Sequence, residues 1–165
     1  MDQALIDQFI NLIHGLAGQT CWSVQVSGVG SLANMHFGDK IKRAKPMIHQ
    51  DFRITMEERA YQGQYILYLE ECPWRLDGPE GVLVTWMDSS DPGGRIYEKL
   101  PVLKGQSVIK TDILQPGLDL MIQFDGGYTL RVFPDQVDAD EGDNYAFVDG
   151  DETYIVTARS HLYTE

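Results

Sequence analysis

No apolar run in the 165 residues approaches the ~18 needed for a membrane-spanning helix. Cysteine is scarce: Cys21 and Cys72 form neither a CxxC pair nor a disulfide framework, and read as two reduced, half-buried thiols. Positive charge is scarce as well. Lys and Arg number 13 against 25 Asp and Glu, for a net charge of -12. Such a surplus repels phosphate backbones and anionic lipid, so neither nucleic acid nor a membrane is expected as a partner. A basic protein is the partner the charge allows. Repeats and low-complexity tracts are absent. The opening Met-Asp-Gln-Ala-Leu-Ile-Asp has an acid where an export signal needs positive charge, which points to a cytoplasmic protein.

What is present is ordinary globular material, 43% hydrophobic and 10% aromatic. A chain of this size supports one core without staples, so residues 1–165 are expected to form a single domain. Residues 3–16 predict an amphipathic helix. Leu5, Ile6, Phe9, Ile10, Leu12, Ile13 and Leu16 recur at steps of three and four, Asp2 is placed to cap the start, and Gly15 or Gly18 to stop the end.

From residue 19 to about 160 the period changes to two. Trp22, Val24 and Val26 alternate with polar residues, as do Ala33, Met35 and Phe37, then Phe52, Ile54 and Met56, then Tyr65, Leu67 and Leu69. Residues 82–87 read as a more apolar strand. Leu118, Leu120, Ile122 and Phe124 run into Asp125-Gly126-Gly127 and return as Tyr128, Leu130 and Val132, a hairpin pattern. Residues 145–148 and 154–157 read as two closing strands, and residues 43–50 as a connector. Strands do not alternate with helices. The expected fold is therefore α+β: one N-terminal helix on a mainly antiparallel, twisted sheet curling towards a barrel or sandwich.

Several familiar patterns fail on inspection. Residues 28–33 satisfy G-x-G-x-x-A, with Asp51 at a suitable distance, but a dinucleotide site needs a following helix and the sequence here alternates like a strand. His36, His49 and Asp51 could ligate a metal, yet nothing supplies a second organised pair; no metal or other cofactor is expected. His14 lies on or beside the helix stripe and His161 near the end. Residues 135–144 approach a calcium loop through Asp138 and Asp140, but Gly142 falls where a ligand belongs. No G-x-S-x-G is present, and Cys72 precedes Pro73; catalytic residues cannot be nominated, and an enzyme is disfavoured.

Two features carry the functional expectation. The first is uneven charge: residues 1–82 hold 7 basic and 10 acidic side chains, residues 83–165 hold 6 and 15. Asp135, Asp138, Asp140, Glu141 and Asp143 concentrate that excess and form the candidate surface for a basic partner. The second is Trp74-Arg75-Leu76 after Glu70-Glu71-Cys72-Pro73. Trp74 is expected as a core ring, with a ligand-contacting role for Trp74 and Arg75 as the alternative.

Five segments in order carry a resemblance: 28–31 with Met35-His36-Phe37-Gly38; residues 63–68; Cys72-Pro73-Trp74-Arg75-Leu76; Leu103-Lys104-Gly105-Gln106; and residues 124–130. Over about residues 15–160 the chain resembles a family of small β-rich bacterial proteins with no established function. Members of that family often carry a longer aromatic and charged tail where this chain has its acidic segment. The resemblance implies a compact bacterial, cytoplasmic domain and no activity. The expected function is a non-catalytic accessory or protein-interaction domain, neutralisation of a basic toxin (an immunity-type role) being one version. The alternative is a small-molecule binder or minor enzyme with a pocket near Trp74, Arg75 and the 28–31 turn.

Overall fold

The structure, a computed structural model, describes residues 2–28, 30–138 and 142–165. Helix α1 (Gln3–His14) starts at Asp2, whose carboxylate accepts the backbone N–H of Ala4 at 3.0 Å and of Leu5 at 3.2 Å. Its stripe of Ile6, Phe9 and Ile13 is fully buried, each side chain contributing about 1.5–3 kcal/mol of transfer free energy. No helix among the described residues is long and apolar enough to cross a membrane.

Eleven described strands follow: β1 (Cys21–Val26), β2 (Ala33–Lys42), β3 (Tyr61–Leu69), β4 (Trp74–Gly78), β5 (Gly81–Thr85), β6 (Val108–Leu114), β7 (Asp119–Phe124), β8 (Thr129–Val132), β9 (Asp143–Asp149), β10 (Glu152–Thr157) and β11 (His161–Thr164). All described pairings are antiparallel. One sheet has the order β1-β2-β3-β9-β10-β11, the other β5-β4-β8-β7-β6. Two short helices interrupt them, α2 (Met56–Ala60) and α3 (Arg95–Lys99).

The sheets enclose one core and are not a closed barrel. Along one side they meet in a hydrogen-bonded seam: Gly18 N–H donates to Val108 O (2.8 Å), Val108 N–H to Gln19 O (2.9 Å), Cys21 N–H to Gln106 O (2.9 Å) and Gly105 N–H to Cys21 O (2.7 Å). Helix α1 contacts β6 and β11, the outer strands of the two sheets. Phe37 of the first sheet stacks on Phe124 of the second at 6.3 Å, and the buried Tyr145 hydroxyl donates to Leu118 O at 2.8 Å. The predicted hairpin is β7–β8. Its turn needs Gly126 and Gly127 at φ 79° and 85°, a region that L side chains resist.

The structure corrects one expected strand. Phe52, Ile54 and Met56 do not alternate across a sheet; they belong to the connector between β2 and β3, with Phe52 and Met56 on the outside and only Ile54 buried. Thr55 and Glu58 form a reciprocal capping box that begins α2, and Met-Glu-Glu-Arg-Ala are mostly good helix formers. Two arginines fix the connector. Arg59 donates to His49 O (2.8 Å), Asp51 O (3.1 Å) and Ile54 O (3.2 Å). Arg53 pairs with both oxygens of Asp51, donates to Tyr97 O (2.8 Å), and lies 3.5 Å from the centre of the Tyr97 ring. The buried Glu58 carboxylate pairs with Lys104, tying α2 to the turn before the seam.

His36 serves the same side of the molecule. It is buried on β2, where its Nδ1 accepts Gly63 N–H at 2.9 Å and its Nε2–H donates to Asn34 Oδ1 at 2.9 Å. The register of β2 against β3 shifts after Phe37, and the imidazole satisfies the amide that the bulge leaves free. Gly63 is required there, because a Cβ would fall 2.7 Å from Tyr65 O and 2.9 Å from Phe37 N.

Candidate functional site

The residues after β3 break its alternation: Glu70 and Glu71 follow Leu69, then Cys72 and Pro73 redirect the chain into β4. Glu70 N–H donates to Asn144 O (3.1 Å) and Glu71 N–H to Asp143 O (3.0 Å), so their side chains stand at the end of the sheet. Opposite them, residues 135–138 are held by their backbone. Arg159 donates from Nε to Val137 O (2.9 Å) and from its backbone N–H to Gln136 O (2.9 Å), while the Gln136 amide donates to Glu71 O. The turn at Gly30, Ser31 and Leu32 and the Trp86 ring complete a cleft of about 720 Å³.

The cleft wall mixes apolar surface with carboxylates. Leu32, Cys72, Pro73, Trp86 and Val137 supply the first; Glu70, Glu71, Asp135 and Asp138 supply the second, and among the described residues no Lys or Arg lines it. Among the described residues none of those four carboxylates has a salt-bridge partner, whereas Asp51, Glu57, Glu58, Asp77 and Asp88 all do. Partial burial, with the nearby charges of Asp143 and Glu71, raises the pKa of Glu70 above the usual carboxylate range. Among the described residues the site is therefore a negative, partly apolar concavity lined by no counter-charge.

Of the sequence-predicted partner residues, Asp135 and Asp138 line this cleft, and Asp143 opens β9 beside Glu71. Asp140 and Glu141 lie outside the described residues. Trp74 is fully buried and does not line the cleft; its Nε1–H donates to Ser31 O at 3.2 Å, so it supports the turn from behind. Arg75, next along β4, pairs with Asp77 at 2.9 Å and sits 5.8 Å from the centre of the Phe133 ring. The cleft thus opens beside the 28–31 turn without either residue in its wall. Glu70, Glu71 and Trp86 are lining residues that sequence reasoning missed. The available signal was the acidic pair ending an alternating strand directly before Cys-Pro.

Other candidate chemistry finds no site. The segment after Gly30 is strand β2 and not a helix, so no helical amides face an anion at the G-x-G-x-x-A match. His49 Nδ1 accepts Asp51 N–H (3.0 Å), Asp51 is engaged by Arg53, and His36 is saturated; no group of three His, Cys, Asp or Glu among the described residues could hold a metal. His14 is exposed, and His161 stacks on Tyr163 at 6.1 Å. Both cysteines are free and buried. Burial, reinforced by Asp135 and Glu70, pushes the Cys72 thiol up to about 12, and burial raises Cys21 as well; neither is the thiolate a nucleophile requires. No family model, no curated protein and no solved structure matches this chain.

Proposed function

We propose that the chain is a non-catalytic interaction domain whose acidic cleft receives a basic segment of a partner protein. One observation carries the reading: among the described residues four carboxylates without a salt-bridge partner share one partly apolar concavity, and no Lys or Arg lines it. Lys or Arg side chains entering the cleft would supply the missing charge, and their stems would cover Leu32, Val137 and the Trp86 edge. A cation over Trp86 adds about 0.5–2 kcal/mol, more than the ~0.2–1 kcal/mol of an exposed ion pair. Neutralising a basic toxin is one form such a role takes.

The test is calorimetric titration with a Lys/Arg-rich peptide containing one aromatic residue, against an acidic peptide of equal length. The basic peptide is expected to bind, with affinity falling roughly tenfold between low and high salt. The double variant Asp135→Asn/Asp138→Asn is expected to weaken binding by a further factor of roughly five to thirty. Equal binding of both peptides, or no binding of either, overturns the reading. A small neutral molecule retained by the cleft through purification would favour a ligand pocket instead.

A further inference from the structure

Three large apolar side chains of the connector stand almost wholly in solvent: Ile48 at 96%, Phe52 at 87% and Met56 at 86% exposure. Looseness does not explain it, because Arg53, Arg59 and the Thr55–Glu58 capping box hold the backbone beneath them. A held segment that shows this much apolar surface has the character of an interaction face. Its charge is also unlike that of the rest of the chain. Residues 40–59 contain six of the 13 Lys and Arg against three carboxylates, and Lys42, Arg43 and Lys45 make no ion pair among the described residues.

The position of this face matters as much as its composition. Ile48 and His49 share a hollow of about 350 Å³ with Gly28 and Asn34, on one side of the β1–β2 turn. Gly30, Ser31 and Leu32 of the same turn line the acidic cleft. A positive apolar surface and a negative apolar concavity therefore flank one turn. A two-fold axis through such a turn brings the positive face of each copy onto the negative face of the other, so one contact is made twice. We infer that the chain forms a two-fold dimer about the β1–β2 turn, the connector of each copy seated in the acidic cleft of the other.

This rests on the reading of the cleft as a receptor for a basic segment, and it names that segment as the connector of a second copy. The complementarity is of both kinds: cations of the connector face Glu70, Glu71, Asp135 and Asp138, and Ile48, Phe52 and Met56 meet Leu32, Trp86 and Val137. The net charge of -12 on each copy opposes association, so the dimer is in equilibrium with monomer and is favoured by added salt, which screens that net repulsion.

Sedimentation equilibrium of the full chain over a wide concentration range is the test, with circular dichroism to confirm folding of each variant. A mass rising from 18.6 kDa to twice that value is expected. Phe52→Glu, on a side chain 87% exposed, is expected to weaken the dimer roughly tenfold or more without affecting the fold. The decisive arm uses two charge reversals, Lys42→Glu/Lys45→Glu and Asp135→Lys/Asp138→Lys. Each alone is expected to be monomeric, and an equimolar mixture to regain the dimer, because both contacts of the mixed pair are again opposite in sign. A chain that stays monomeric but binds the basic peptide overturns the dimer and leaves the cleft reading intact; one that does neither removes both. Open-ended oligomers, a dimer indifferent to these variants, or a monomer that instead sediments with anionic vesicles each overturns it too.

Discussion

The connector at residues 43–60 and the cleft wall at residues 135–138 are both irregular and highly charged, but their charges do different work. In the connector the guanidinium groups turn inward and satisfy main-chain carbonyls: Arg59 alone engages His49, Asp51 and Ile54. In the cleft wall the order runs the other way. The main chain is held by Arg159 and Gln136, and the exposed Asp135 and Asp138 carboxylates have no salt-bridge partner among the described residues. Charge that builds structure is costly to remove. Charge left over after the structure is built is where recognition resides.

The two sides also titrate with opposite sign, which gives the largest expected effect. Burial, aided by Arg43, lowers the His36 pKa from its ordinary 6.5 to about 4. Between those values the unfolded chain binds a proton that the folded chain refuses, so stability present above pH 6.5 is lost as pH falls towards 4. The loss reaches about 3 kcal/mol. Denaturant unfolding at a series of pH values should show it, and His36→Gln should flatten the curve; an unchanged slope in that variant would place the effect elsewhere. Glu70 pulls the other way. Its raised pKa means its ionised form is disfavoured in the fold, a penalty relieved as pH falls through that value.

Next in size is Arg59→Ala, expected to cost about 2 kcal/mol because three carbonyl acceptors lose their donor. Hydrogen exchange should localise the loss to residues 47–59, leaving β7 and β8 protected. Smallest is Asp135→Asn/Asp138→Asn. It should change stability by no more than about 0.5 kcal/mol while abolishing most of the affinity for a basic peptide. A large stability loss in that variant would erase the contrast between the two regions.

Legibility from sequence followed how local the deciding forces are. Helix α1, its Asp2 cap and the β7–β8 turn are set by neighbours in sequence, and each was readable. The connector misled because Phe52, Ile54 and Met56 repeat a strand's spacing; the Thr55-x-x-Glu58 capping signal, which won, lies in the polar Thr55 between them and in Glu58 just beyond. Strands β6 and β11 escaped notice because neither alternates cleanly: β6 exposes Ile109 and Leu114 and buries Thr111, and β11 is four residues long with only Leu162 buried. The cleft was no more legible. The expected pocket centred on Trp74 and Arg75, neither of which lines the cleft, and the cleft wall joins residues near 31, 71, 86 and 136, whose proximity no spacing announces.

Cys72 lines the cleft, yet is only 3% exposed. Buried among carboxylates, it is inert until its surroundings part, so its alkylation at alkaline pH acts as a clock that ticks once per opening of that neighbourhood. An occupant that braces both walls would slow the clock, and whatever the cleft holds could be ranked by how long it keeps one sulfur silent.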